Sequence, residues 1–142
     1  MASILKVDTL TGVTTAGSIS VTGEGNSTTT NLQQGLAKVW VNLNQDATPS
    51  IRGSNNVSSV SDEGVGATQT NFTSLTADAN YALAGTSGDE AGNSGCWHST
   101  GYNANSYNTS NTTSSFHQQI YYSTNQVADS SFVYCTLHGD LA

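Results

Sequence analysis

Residues 37–44 read Ala-Lys-Val-Trp-Val-Asn-Leu-Asn, a run in which side-chain character alternates without interruption. In an extended chain Ala37, Val39, Val41 and Leu43 share one face, while Lys38, Trp40, Asn42 and Asn44 share the other. A period of two, carried by β-branched and aromatic residues, is typical of a half-buried strand. The run is therefore predicted to be the first strand of a β domain that occupies most of the protein.

Trp40 is a large apolar side chain on the otherwise polar face of this strand. If the opposite face is buried in the domain core, something else has to cover the indole. We expect an interface between copies of the chain, or the N-terminal segment, to do so. Trp40 is thus a candidate residue of an oligomer interface.

Similar short strands follow along the chain, separated by turn residues. About seven are predicted after residue 44, at 50–53, 56–60, 67–74, 79–85, 94–99, 115–122 and 131–138. Turn signals rich in Asp, Gly and Pro lie at 46–49, 62–64 and 87–92. This spacing predicts an all-β fold, an antiparallel β-sandwich or jelly-roll-like domain, over residues 36–142. That domain is called the knob below.

Composition supports the β class and excludes several functions. Ser, Thr and Asn account for 54 of the 142 residues, and these residues disfavour helices. Net charge is −7, and the basic residues are Lys6, Lys38 and Arg52, which excludes the charge pattern of a nucleic-acid-binding protein. No apolar run reaches 18 residues, so membrane insertion is not expected. No signal peptide is recognisable, so the protein is expected to be made and kept in a cytoplasm, at least until release.

The apolar fraction is 35%, below the roughly 45–50% usual for globular domains. A chain this polar is expected to have a thin core of its own. Burying further apolar surface between copies is a common remedy, so an oligomer is expected.

Residues 1–35 differ from the rest and are predicted to be an attachment arm and linker. They contain two minimal strands, at 3–8 and 18–21, followed by Gly-, Ser- and Thr-rich linker chemistry at 23–30. Residues 31–36 form either one helical turn or a plain connector. The segment is either a floppy terminus or an arm that becomes ordered on a partner. Its candidate attachment residues are Ile4, Leu5, Val7, Ile19 and Val21.

Candidate chemical sites are few. Two Cys/His pairs, Cys96 with His98 and Cys135 with His138, are candidate zinc ligands together with His117, but neither spacing matches a zinc motif. A Cys96–Cys135 disulfide is an alternative that depends on geometry. The adjacent carboxylates at 62–63 and 89–90 point to opposite sides of an extended chain, although the second pair is also a weak calcium candidate. No catalytic motif, metal or cofactor is assigned, and the protein is not expected to be an enzyme.

Several stretches, in order, resemble the C-terminal domain of tail-fibre-like virion proteins of marine bacteriophages. Asn-Phe-Thr at 71–73, followed by Asp-Ala-Asn-Tyr-Ala at 78–82, is the most characteristic pair. The other matching stretches are 37–42, 51–52, 56–62 and 132–140, and residues 4–9 resemble the start of such proteins. This chain departs from the family pattern at Asn55, Thr68, Thr70 and 76–77.

The resemblance implies a homotrimeric protein of the virion surface, bound to other virion proteins of the capsid, tail or baseplate. One role is a tail-fibre or head-fibre knob, whose variable region 86–128 contacts the host surface. The alternative is a capsid decoration protein, which the short chain favours because it contains no fibre shaft. A free carbohydrate-binding module is a further alternative, and the candidate host or glycan contacts are Trp97, Tyr102 and Tyr107.

Overall fold

The computed structural model describes residues 4–13, 19–23, 28–88, 97–100, 111–123 and 126–142, and of 97–100 and 122–123 it describes the backbone alone. The chain divides into two compact units, Met1–Leu36 and Ala37–Ala142. The division lies one residue from the boundary predicted between residues 35 and 36. The fold is all-β with antiparallel sheets, as predicted, and the described residues include one helix of four residues.

The N-terminal unit, Met1–Leu36, contains a small hairpin. Strands β1 (Ser20–Thr22) and β2 (Thr29–Asn31) pair antiparallel, and helix α1 (Leu32–Gly35) follows directly. The side chain of Asn31 caps this helix by accepting a hydrogen bond from the backbone N–H of Gln34 at 3.1 Å. Of the two alternatives for residues 31–36, a helical turn or a plain connector, the structure therefore shows the helical turn.

Two predictions for the N-terminal unit were wrong. Residues 29–31 form a strand, although 23–30 was predicted to be linker. Residues 4–8 form no strand despite their apolar alternation. The physical reason is the same in both cases, since a short strand is stable only when another strand satisfies its backbone hydrogen bonds.

The C-terminal unit, Ala37–Ala142, contains two antiparallel sheets. In chain order its strands are β3 (Val39–Asn44), β4 (Ser50–Asn55), β5 (Val57–Gly64), β6 (Ala67–Phe72), β7 (Ala82–Gly88), β8 (Trp97–Thr100), β9 (Ser115–Ser123), β10 (Gln126–Val127) and β11 (Phe132–His138). One sheet has the order β4-β3-β11-β7. In the other, β6 pairs with β5 and β9, while β9 also pairs with β8 and β10. Every strand predicted from residue 36 onward overlaps an observed strand; β10 was not predicted.

The two sheets share one hydrophobic core, which makes the unit β-sandwich-like. The first sheet contributes alternate residues of its two central strands, as the period of two requires. The core residues of both sheets are Val39, Val41, Leu43, Phe72, Phe116, Ile120, Val133, Cys135 and Leu137. The face of β3 predicted to be buried is therefore buried, and Trp40 lies on the other face.

Polar side chains also occupy the interior between the sheets. The hydroxyl oxygen of Thr68 accepts hydrogen bonds from Nε2 of Gln45 at 3.0 Å and from Nε2 of Gln118 at 2.7 Å. The thiol of Cys135 donates to Oε1 of Gln118 at 2.6 Å, which links the network to the first sheet. Thr68 and Thr70, two departures from the family pattern, are thus core positions occupied by hydroxyl groups. Such groups reduce the apolar contact area of the core.

The turn between β5 and β6 lies later than predicted. β5 continues through the Asp-Glu-Gly sequence at 62–64, and the chain reverses at Val65 and Gly66. Oδ1 of Asp62 accepts a hydrogen bond from the backbone N–H of Gly64 at 2.9 Å. This local side-chain contact explains why the segment resembles a turn in sequence.

Candidate interaction surface

The four-stranded sheet has an outward surface that the core does not use. Because cross-strand partners in an antiparallel sheet share a face, the strand register defines this surface. Trp40 lies opposite Asn55 and Thr136, and Thr136 lies opposite Ala84. In the next row, Asn42 lies opposite Gly53 and Tyr134, and Tyr134 lies opposite Thr86. We call this surface the outer sheet face; it also includes Ala82, Gly88, Phe132 and His138.

Trp40 forms the prominent feature of the outer sheet face above β3 and β4. Its side chain is 44% exposed, a large fraction for an indole. A β-carbon built on Gly53 would lie 3.5 Å from Cζ3 of Trp40, so the ring packs directly against this glycine. The indole is therefore fixed on one side by the neighbouring strand and open to solvent on the other.

Phe132 and Tyr134 form a second aromatic group, on β11. Their rings are parallel to within 5°, with centroids 6.5 Å apart, and Tyr134 is 41% exposed. The guanidinium carbon of Arg52 lies 4.4 Å from the centroid of the Phe132 ring, a cation–π arrangement. Arg52 also donates a hydrogen bond to the backbone carbonyl of Ser131. Cation and aromatic ring thus hold each other in position at one end of the outer sheet face.

Sequence reasoning did not single out these aromatic residues, although a signal was present. Phe132 and Tyr134 alternate with Val133 and Cys135 in the predicted strand 131–138. Once the valine and cysteine are assigned to the core, the two aromatic residues have to point outward.

A groove of about 310 Å³ lies above β7 and β11, beside the aromatic groups. Its lining residues are Ala84, Gly85, Thr86, Tyr134, Cys135 and Thr136. The groove forms because the lining residues of β7 are small, whereas the neighbouring β11 contributes the large aromatic side chain of Tyr134. It lies on the opposite side of the outer sheet face from Gly53, against which Trp40 packs.

The outer sheet face lacks acidic residues, although the chain carries ten of them. Arg52 lies beside it, over the ring of Phe132. A surface composed of aromatic, small and amide side chains, without carboxylates, resembles the centre of a protein interface.

Burial shifts the pKa of three ionisable groups of the C-terminal unit, Cys135, His117 and Tyr81. Burial raises the pKa of the Cys135 thiol, so it is a poor thiolate donor. Burial also lowers the pKa of His117, an effect partly opposed by the negative charge of Glu63. Burial raises the pKa of Tyr81 to about 12. These shifts come mainly from desolvation, which favours the neutral form of each group.

The second Cys/His pair does not converge on a metal position. Cys135 faces the core, whereas His138, three residues later on β11, lies on the outer sheet face. Treating them as one pair was wrong, because residues three apart on a strand point to opposite sides. Within the described ranges, no group of three or more His, Cys, Asp or Glu residues could hold a metal ion.

The candidate attachment residues are exposed or half-buried. Ile4 and Leu5 are 78% and 81% exposed, and Val7 and Val21 are also largely exposed. Ile19 is half-buried, next to β1.

Other candidates lie outside the described residues. They are Tyr102, Tyr107, Cys96, Asp89 and Glu90, together with the side chains of Trp97 and His98. The backbone of Trp97 pairs with Tyr121 in the second sheet. No helix in the described part of the chain is long and apolar enough to cross a membrane.

Comparisons with protein-family models, with curated proteins and with solved structures find no match to this chain.

Proposed function

We propose that the protein is a bacteriophage virion structural protein, a trimeric knob of tail-fibre or head-fibre type attached to the particle by its N-terminal arm. One observation carries the proposal. The N-terminal unit leaves Ile4, Leu5 and Val7 exposed, and none of its described residues is buried. An apolar segment without a core of its own is stabilised when a partner removes it from water.

In this proposal the knob is the folded domain that the arm attaches to the particle. It has its own hydrophobic core, and its sequence carries the stretches that resemble the virion-protein family. The proposed trimer would cover Trp40, which the sandwich core leaves exposed. A location on the virion surface and a contact with a host surface glycan belong to the same proposal. The jelly-roll-like form of the sandwich stays a prediction.

The proposed attachment is strand addition to a sheet of another virion protein. β1 already uses one edge to pair with β2. Residues 4–8 form no strand and keep their apolar alternation available. In an extended conformation they would pair their backbone groups with a partner sheet and bury Ile4 or Leu5 against it.

Deleting residues 1–36 tests this proposal. The truncated protein should stay folded and trimeric but be absent from purified particles. A triple variant with Ile4, Leu5 and Val7 changed to Ser should be lost from particles to a similar degree. Val65→Ser is the matched control, because Val65 is exposed like the arm residues but belongs to the knob. Packaging of the truncated protein at wild-type copy number would show that the knob makes the attachment.

The second candidate is a capsid decoration protein, which would use the same arm and knob on the head. The two roles differ in stoichiometry, because decoration proteins cover a capsid lattice whereas fibres occupy few positions. The number of copies per particle, measured by quantitative mass spectrometry, separates them.

A further inference from the structure

We infer that copies of the knob associate through the outer sheet face, with Trp40 of one copy seated in the groove above β7 and β11 of the next. The inference deepens the proposed function, since it rests on the trimer and names the surfaces that form it. The occupant of the groove is thus a second copy of this chain.

The composition of the outer sheet face points to a covered surface. An antiparallel sheet that faces water on one side usually presents polar residues there. Here Trp40, Phe132 and Tyr134 point outward instead, and the alanines of β7 lie beside them. Aromatic residues and arginine are enriched in protein interfaces, where lysine and acidic residues are depleted. The outer sheet face likewise has aromatic residues next to Arg52 and no acidic residue among those that define it.

Shape adds a second argument. The indole of Trp40 packs against Gly53 on the β4 side and is 44% exposed, whereas the groove lies above β7 and β11. The two features are therefore separate patches on one surface, and each could serve as the complement of the other. The small side chain of Ala84 leaves room for a ring from a neighbouring molecule. Contact between different patches is head-to-tail, and such contacts produce a closed ring when the rotation between copies allows it.

The net charge of the chain opposes contact between copies over most of its surface. Each chain carries a net charge of −7, so two copies repel each other at most orientations. The residues that define the outer sheet face include no carboxylate, and Arg52 lies beside them, so repulsion between these residues of two copies is weaker than the net charge implies.

Two single variants test the two halves of the contact in the full chain. Trp40→Ala removes the exposed indole, and Ala84→Phe fills the groove. Multi-angle light scattering at micromolar concentration should give about three times 14.7 kDa for the wild type and about 14.7 kDa for each variant. Val65→Ala, which shortens an exposed apolar side chain away from the outer sheet face, should remain trimeric. Circular dichroism checks that each variant is folded.

Mixing the two variants tests the head-to-tail arrangement. The Ala84→Phe chain keeps its Trp40, and the Trp40→Ala chain keeps its groove, so a mixture can form one contact and no ring. A 1:1 mixture should therefore form dimers of one copy of each variant, while each variant alone stays monomeric.

Three outcomes would overturn the inference. If both single variants remain trimeric, the trimer uses another surface, and the proposed trimer itself still stands. If both are folded monomers but their mixture forms no dimers, the contact is not head-to-tail. If the wild type is a monomer, the trimer also fails, whereas attachment by the arm is judged separately from particle composition.

Discussion

The side chain of Tyr81 contacts the segment before β9, the first residue of β9 and the aromatic ring of a core residue. Its hydroxyl lies within hydrogen-bond distance of two backbone carbonyls, those of Thr112 at 3.1 Å and Ser115 at 2.9 Å. Its ring meets that of Phe72 edge-on, with centroids 6.1 Å apart. Tyr81 therefore joins the segment before β9 to the hydrophobic core.

Tyr81→Phe removes the hydroxyl and keeps the ring. The free energy of unfolding should fall by about 0.5–1.5 kcal/mol, the usual net contribution of a hydrogen bond. Urea denaturation at a fixed protein concentration measures it. Tyr134→Phe is the control, since its half-exposed ring lies on the outer sheet face, and a change within about 0.5 kcal/mol is expected there. Equal losses in both variants would contradict a structural role for the Tyr81 hydroxyl.

The raised pKa of Tyr81 predicts a loss of stability at alkaline pH. In the unfolded chain the phenol ionises near its ordinary pKa of 10.0, whereas burial raises the pKa to about 12 in the fold. Between these values the unfolded chain has lost the proton and the folded chain retains it, so stability falls as pH rises. The difference in melting temperature between wild type and Tyr81→Phe should shrink from pH 10 to pH 12. A difference that stays constant over this range would show that Tyr81 does not titrate as inferred.

At the scale of elements, the β5–β6 turn is a tightly packed connection of the second sheet. Gly66 has φ of +68°, and a β-carbon there would lie 2.7 Å from the carbonyl oxygen of Ala128 and 2.8 Å from that of Ile120. The same residue accepts a backbone hydrogen bond from Ile120 and donates one to Oδ1 of Asp129 at 2.7 Å. The turn is thus packed against the β9–β10 region, and glycine is required there.

Gly66→Ala should destabilise the knob more than Gly64→Ala does. Both glycines have positive φ, so both substitutions introduce backbone strain of about 1–3 kcal/mol. At Gly64 no atom lies within 4 Å of the added β-carbon, whereas at Gly66 the methyl group also collides with backbone atoms. Chemical denaturation of the two variants measures the difference. Similar losses would mean that the turn moves to accommodate the methyl group.

At the scale of the whole molecule, the two units differ in how they are stabilised. Every residue that is buried in the described part of the chain belongs to Ala37–Ala142. The central strands of its first sheet, β3 and β11, come from the two ends of this unit. The sandwich therefore closes only when both ends are present, and it does not depend on the N-terminal unit for its core.

Removing residues 1–36 should therefore leave the melting temperature within about 3 °C of the full chain at equal protomer concentration. Removing residues 132–142 is the control, because it deletes β11 from the centre of a sheet and should prevent folding. Scanning calorimetry or circular dichroism measures both. A large fall in melting temperature for the first truncation would show that the N-terminal unit stabilises the knob.

The sequence by itself determined the approximate positions of the strands of the knob, except for β10. The alternation at 37–44 placed Val39, Val41 and Leu43 in the core and Trp40 outside it, because the period of a strand is a local property of the chain. It also predicted the antiparallel all-β class and a boundary within one residue of the observed division. The attachment, glycan and trimer roles of the candidate residues stay predictions.

Only the tertiary structure decided which strands meet and what their outward faces form. The outer sheet face joins residues from β3, β4, β7 and β11, so Gly53 beneath Trp40 and the groove beside Tyr134 depend on pairing between distant segments. The same reason explains why residues 4–8 form no strand although one was predicted, and why residues 29–31 form a strand although linker was predicted. Alternation alone does not make a strand, because its backbone hydrogen bonds need a partner that the local sequence does not specify.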